Sequence, residues 1–254
     1  MRYFMRLSYN GKPYHGWQVQ PNAESVQSVL EEAMGKLLRT QVAVTGAGRT
    51  DAGVNAAMMV AHFDVAEALA DKDDFVYRLN SLVGRDIAIQ DVAAVPDEAH
   101  ARFDAISRTY KYYVHTEKSP FLYEYSWPVR GCALYFEKMN EAACRLLEYS
   151  DFTSFSKLHT DAKTNICKVT EAYWSKLPGE GGQWVFTISA DRFLRNMVRA
   201  VVGTLVEVGR GRLSVSEFCE IIERKDRCAA GTSMPGEALF LWRVDYPESL
   251  GLPW

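Results

Sequence analysis

The chain has 254 residues, 48% of them hydrophobic and 24% charged, with a formal net charge of −3. That is enough for one large globular domain or two modest ones, and no apolar run approaches the roughly 18 residues needed to span a bilayer. The N-terminus, MRYFMRLSY, alternates apolar and polar residues and lacks a signal peptide's continuous apolar core, so a cytoplasmic protein is expected.

Residues 2–9 read as a first strand. Ser25 then starts a helix in which Val26, Val29, Leu30, Ala33, Met34, Leu37 and Leu38 recur at i, i+3, i+4, i+7 spacing. Strands are expected near 41–46 and 57–65, a helix near 73–83, and a strand at about 86–95. The order is β-α-β-β-α-β, and the second half repeats it. A long strand covers 101–115 and a helix lies near 136–148. Strands near 166–177 and 183–190 flank a Pro-Gly-Glu-Gly-Gly turn at 178–182. A helix over 194–208 and a strand over about 239–246 complete the set, and Ser214 with Glu217 makes a capping box for an additional helix at 215–224. The fold class is therefore α+β, with two ferredoxin-like units, each a split βαβ, over residues 1–98 and 99–254. No low-complexity linker divides them, so their sheets can join, and a cleft between them is the expected ligand site.

Five cysteines (Cys132, Cys144, Cys167, Cys219, Cys228) form no CxxC pair and sit at no metal-ligand spacing. They are expected to be reduced, buried thiols, and no metal is expected. Charge is segregated along the chain. The stretch 64–74 is acidic (Asp64, Glu67, Asp71, Asp73, Asp74), while 192–212 carries five arginines against Glu207 alone. The net charge alone argues mildly against a nucleic-acid partner, but such segregation can give one basic face on an acidic body.

Three stretches can carry chemistry. Gly46-Ala47-Gly48-Arg49-Thr50-Asp51-Ala52-Gly53-Val54-Asn55 has three glycines within eight residues, which permits a tight loop and close approach of a ligand. Arg49 and Asp51 can both point at one site there, although an Asx-turn at Asp51 with a solvent-facing Arg49 also fits. Ala101-Arg102-Phe103 and Ser107-Arg108-Thr109-Tyr110-Lys111-Tyr112-Tyr113 interleave aromatics with cations. A strand puts Arg108, Tyr110 and Tyr112 on one face, an arrangement that suits base stacking beside phosphates, although a half-buried strand of ordinary aromatic content fits equally well. In Asp191-Arg192-Phe193-Leu194-Arg195-Asn196-Met197-Val198-Arg199, three arginines align at a helix start and can hold phosphates or pair with a carboxylate. Arg102, Arg108, Arg192 and Arg195 are expected to contact RNA.

Together these pieces resemble the tRNA pseudouridine synthase A family over about residues 2–247. The resemblance is carried by Tyr14-His15-Gly16-Trp17-Gln18, Ser25-Val26-Gln27, Gly48-Arg49-Thr50-Asp51-Ala52-Gly53-Val54, Ala101-Arg102-Phe103 and Arg108-Thr109-Tyr110-Lys111-Tyr112. Asp151-Phe152-Thr153-Ser154-Phe155, Phe193-Leu194-Arg195-Asn196-Met197-Val198-Arg199 and Leu239-Phe240-Leu241 extend it. It implies two ferredoxin-like halves joined in a central mixed or antiparallel sheet with flanking helices. It also implies a homodimer holding tRNA, and isomerisation of uridines 38, 39 and 40 of the anticodon stem-loop without cofactor or metal. The family's nucleophilic aspartate falls on Asp51 and its base-stacking tyrosine on Tyr110. The arginine that pairs with the nucleophile falls on Arg199, the apolar pocket residue on Leu239, and the arginine that holds the base out of its helix on Arg49. One departure is Asn55, where the family usually has a histidine, which puts an RNA contact at that position in doubt.

Two rival readings remain. A non-catalytic RNA-binding module of paired ferredoxin-like units explains the aromatics and arginines but leaves the glycine-flanked Arg-Thr-Asp loop without a purpose. A carboxylate-dependent glycoside or nucleoside hydrolase needs a second carboxylate roughly 5–10 Å from the first, and no paired Asp/Glu motif is present.

Overall fold

The alternating pattern at the N-terminus forms β1 (Arg2–Tyr9), which buries Tyr3, Phe4, Met5 and Leu7. The structure, a computed structural model, describes residues 1–131, 133–157, 164–179 and 182–254. Cys132 and the centre of the turn expected over 178–182 lie outside the described residues. The chain divides into two compact units, Met1–Ile106 with Leu241–Trp254, and Ser107–Phe240.

In the first unit β1 pairs antiparallel with β3 (Asn55–Asp64) and with β4 (Ile87–Val95), and β2 (Thr45–Gly46) pairs with β3. With α1 (Val26–Leu38) after β1 and α2 (Lys72–Asn80) after β3, the order β4-β1-β3-β2 is that of a split βαβ. Ser25 starts α1 through a reciprocal box. Its Oγ accepts from Ser28 N at 3.1 Å, and Ser28 Oγ accepts from Ser25 N at 3.0 Å, an arrangement worth about 1 kcal/mol. At the end of α2, Asn80 clasps β4 by donating to Ile89 O at 2.9 Å and accepting from Ile89 N at 2.8 Å. Tyr3, Phe63 and Phe75 stack in series at 5.7 and 5.8 Å.

Two expected strands are shortened here. Over 41–46 only Thr45 and Gly46 join a sheet. Val44 N donates to Glu31 Oε1 at 3.0 Å and Val44 O accepts from Gln27 Nε2 at 3.0 Å, so side chains of α1 satisfy the backbone that a ladder would otherwise need to pair. The strand expected from 101 begins instead at Ser107. Asp104 Oδ2 accepts from His100 N at 2.7 Å and Asp104 N donates to His100 O at 3.0 Å, closing a turn over 100–104.

In the second unit β5 (Ser107–His115) pairs antiparallel with β8 (Gln183–Ala190), which pairs with β7 (Val169–Lys176). The short β6 (Trp127–Pro128) runs parallel to the end of β5. Tyr113 N donates to Ala238 O at 3.0 Å, just before β9 (Leu239–Asp245) begins. Helix α3 (Phe136–Arg145) lays Phe136 on Trp184 at 3.8 Å, and Asn140 clasps Trp174 by accepting from its N at 2.6 Å and donating to its O at 3.1 Å. An asparagine thus ties a helix to a strand backbone in each unit. Helix α4 (Met197–Gly209) is buried on most sides, and α5 (Val215–Glu223) starts at the Ser214–Glu217 capping box.

Helix α4 begins later than expected. Asn196 is left-handed at φ 68°, a conformation asparagine tolerates better than most residues, so residues 192–195 lie outside the helix. Arg192, Arg195 and Arg199 therefore do not form one helical stripe. The cysteines also differ from expectation. Cys167 is buried, and burial pushes its thiol up to about 12, but Cys144 and Cys228 are exposed. On α3 the buried positions are Phe136, Met139, Ala142 and Ala143, and Cys144 falls one step beyond that face. Among the described residues no helix is long and apolar enough to cross a membrane.

His62, in β3, is 7% exposed, and its Nδ1 accepts from Ala101 N at 3.1 Å. Burial first, then the charges of Arg2 and His100, push its pKa down from 6.5 to about 4, and burial lowers His100 as well. The unfolded chain takes up a proton near pH 6.5, whereas folded His62 does so only near 4. Its stabilising contribution is therefore complete above about pH 6.5, declines as pH falls, and is lost by about pH 4. The loss is on the order of 3 kcal/mol. Urea unfolding between pH 7 and 4 should show this slope, and His62→Gln should flatten it; an identical slope in the variant contradicts the assignment.

Candidate active site

Residues 47–54 form an irregular loop from β2 to β3, with Arg49 exposed and Asp51 half-buried. Its backbone is tied on several sides. Ala47 N donates to Val60 O at 2.7 Å, Trp17 N to Thr50 O at 3.2 Å, and Gly53 N to Tyr14 O at 3.4 Å. The turn itself closes through the main chain, with Val54 N donating to Asp51 O at 3.1 Å. Beneath it, Thr50 Oγ1 and Tyr9 OH share a buried hydrogen bond of 2.9 Å. The segment over 14–17 that braces the loop is itself held by α1, because Val26 N donates to Gly16 O at 3.2 Å and Gln27 N to Trp17 O at 3.0 Å.

Two glycines make this close packing possible. Gly16 has φ +93°, and a Cβ there would lie 2.5 Å from Thr50 O. At Gly46 a Cβ would lie 2.5 Å from the Trp17 ring. Their role is to let neighbours approach, and the resulting close packing braces the loop. Asn55 is 1% exposed and its Oδ1 accepts from Gly11 N at 2.8 Å. That side chain is a clasp inside the unit and offers RNA no surface.

In the second unit Tyr110 stands opposite Ile188 on β8, half-buried, with Phe193 edge-on to its ring at 5.1 Å. Arg108 Nη1 donates to Asp191 O at 2.7 Å, and Asp191 Oδ1 accepts from Lys168 N at 2.8 Å and Arg192 N at 2.7 Å. These bonds set the bend that presents Phe193 to Tyr110. Tyr112 is fully buried, so β5 is not the open stacking surface that its alternation suggested. Burial, and then Glu237, raises the Tyr112 phenol above its ordinary range while Arg199 opposes the rise, so Tyr112 stays protonated. Arg199, in the first turn of α4, donates from Nε to Met234 O at 2.5 Å, and its own O accepts from Met234 N at 3.1 Å. Leu239 is 4% exposed, and its N donates to Gly236 O at 2.9 Å.

The remaining arginines differ in exposure and partners. Arg102 is exposed in the 100–104 turn, with its guanidinium 5.8 Å from the ring of Phe103, itself 74% exposed. Arg195 is exposed and its O accepts from Lys157 N at 3.0 Å, while Arg192 is half-buried. The basic run over 192–212 is partly neutralised, because Arg210 and Arg212 pair with Glu207 at 2.8 and 3.0 Å. Arg49, Asp51 and Arg102 thus belong to the first unit, and Tyr110, Arg108, Arg192, Arg195, Arg199 and Leu239 to the second. Gly16, Phe193 and Met234 emerge as supports with no assigned role in the sequence reading. The first two sit inside motifs that were visible, but their partners are far along the chain, and Met234 acts through its backbone, which leaves no signature. Gly16→Ala should lower the unfolding free energy by about 1–3 kcal/mol. Gly48→Ala, with nothing within 4 Å of its added methyl, should change it by no more than about 0.5 kcal/mol. Equal effects in urea melts would contradict the close-approach role of Gly16.

Comparison with known proteins bears on the same segments. The family model described as tRNA pseudouridine synthase matches residues 7–104 and 142–247. The chain is 59% identical over 249 residues to a tRNA pseudouridine synthase A of Bacteroides thetaiotaomicron, covering 98% of this chain and 92% of that one. It is 56% identical over 252 residues to one of Porphyromonas gingivalis, covering 99% of each, and 38% identical over 252 residues to one of Bacillus subtilis, covering 97% of this chain and 99% of that one. The motif-bearing loop at Asp51 and the helix of Arg199 fall within the residues the family model matches, the strand of Tyr110 lies between the two matched stretches, and the chain belongs to the tRNA pseudouridine synthases, a family of isomerases.

Proposed function

We propose that this enzyme converts uridines 38, 39 and 40 of the tRNA anticodon stem-loop to pseudouridine, in the cytoplasm and as a homodimer, with Asp51 as the nucleophile. The observation that carries this reading is the Asp51 loop. Its half-buried aspartate sits on a backbone braced by residues 14–17 and by the Tyr9–Thr50 bond. Such bracing suits a carboxylate that must meet one atom of a large substrate in a fixed geometry.

The reaction breaks the N1–C1′ glycosidic bond, turns the uracil and rejoins it through C5. The hydrogen lost from C5 is balanced by the one gained at N1, so the conversion is redox-neutral. A carboxylate serves it by covalent catalysis, at uracil C6 or ribose C1′. Arg199 answers the charge of Asp51, and Tyr110 stacks on the target base with Leu239 lining the pocket. Extruding that base costs a few kcal/mol, which the stacking and the arginine–phosphate contacts offset. Arg49 holds the extruded base, and Arg102, Arg108, Arg192 and Arg195 contact RNA. The edge-on support of Tyr110 by Phe193 favours its role as a fixed platform.

Incubation with unmodified tRNA transcripts followed by site mapping tests the assignment. Pseudouridine is expected at positions 38 to 40 only. Release of free uracil would favour a hydrolase, and binding without modification would favour a passive RNA module. Arg192→Ala and Arg195→Ala should each weaken tRNA affinity and reduce its log–log salt slope by about 1. Unchanged slopes in both would remove this segment from the RNA surface.

A further inference from the structure

The segment that follows α5 crosses the face of α4 as a strap without regular secondary structure over 230–238. Its seat on α4 is close. A Cβ at Gly203 would lie 1.9 Å from Thr232 O, so only glycine admits the strap at that height. Gly231 N donates to Thr204 Oγ1 at 2.9 Å, and that hydroxyl donates in turn to Ala200 O at 2.9 Å. At its far end the strap offers Met234 O to Arg199 Nε at 2.5 Å, and it runs on through the Gly236–Leu239 turn into Leu239. Two residues assigned to the site therefore take their positions from one strap.

What fixes the strap is Arg227. Its Nη1 donates to Gly231 O at 3.2 Å and to Ala230 O at 3.5 Å, and its Nη2 donates to Ser233 Oγ at 2.8 Å. The same Ser233 Oγ accepts from Asn196 Nδ2 at 2.6 Å, and Asn196 is the left-handed residue from which α4 starts. One guanidinium thus joins the strap to the origin of the helix that carries Arg199. A planar, permanently charged fork suits this task, because it reaches three acceptors from one rigid group.

We propose that Arg227 and Ser233 are positioning residues for pseudouridine formation, locking the 230–234 strap so that the Arg199 guanidinium and Leu239 are held in register. Neither touches substrate. The inference rests on Arg199 acting in the reaction, as proposed above. Without the lock, Met234 O drifts and Arg199 samples several rotamers. The cost falls on the chemical step more than on tRNA capture, which draws on many phosphate contacts.

The test compares Arg227→Met, Ser233→Ala and the double variant in steady-state assays on tRNA transcripts, with thermal melts of each. Arg227→Met and Ser233→Ala should each lower kcat about tenfold or more, with KM for tRNA within about twofold. The double variant should fall no further than the worse single one, because both break the same lock. Ser233→Ala, the smaller lesion, keeps the test readable if Arg227→Met folds poorly. A lowered melting temperature with unchanged kcat in the folded fraction would make the lock merely structural and overturn the inference. Arg199→Gln separates the two levels. If it abolishes turnover while both lock variants keep full kcat, the lock fails and the reading of Arg199 survives; if Arg199→Gln is silent, both fall.

Discussion

The approach of the Gly16 backbone to Thr50 O is the constraint on which the rest of the first unit's site depends. A side chain at residue 16 would stand 2.5 Å from that oxygen, and the left-handed backbone at Gly16 disfavours any other residue. The contact brings together the end of β1, the start of α1 and the loop that carries Asp51. Ser25 caps the helix, the helix N–H groups grip Gly16 and Trp17, and Trp17 N holds Thr50 O. A local capping preference is thereby transmitted through about three hydrogen-bonded steps to the carboxylate-bearing loop.

The second unit solves a similar problem with different parts. The residues proposed for its site lie on a strand, on the first turn of a buried helix and at the start of β9, and their neighbours have no chemistry of their own. Phe193 meets the Tyr110 ring, Asp191 sets the bend before it, and Met234 holds Arg199. Preorganisation of this kind lowers a barrier by placing groups before the substrate arrives, and its cost is met during folding. An isomerisation that needs no redox partner leaves placement as the protein's main contribution.

Much of this was legible from the residues where periodicity and capping act locally. The helix after Ser25, the Ser214–Glu217 box and the strand at 2–9 follow from side-chain pattern alone. The misreadings arise where particular hydrogen bonds or a backbone conformation, rather than side-chain periodicity, set the local structure. Gln27 and Glu31 took the backbone of Val44 out of a strand, Asp104 closed a turn where a strand was expected, and Asn196 postponed a helix by adopting a left-handed conformation. At the site, motifs pointed to Asp51, Tyr110 and Arg199, but the burial of Asn55 and Tyr112 could not be read from spacing. Both carry polar groups in patterns that fit an exposed face as well as a buried one.

The most direct test of the nucleophile proposed at Asp51 is a single-turnover assay of Asp51→Asn with enzyme in excess over unmodified tRNA, run beside a measurement of tRNA affinity. The substitution keeps the size of the side chain and removes its charge. The proposed role predicts no pseudouridine over a period in which the unaltered enzyme completes its reaction, with tRNA bound about as tightly as before. Modification at the normal rate, or a loss of product accounted for by weaker binding, would contradict it.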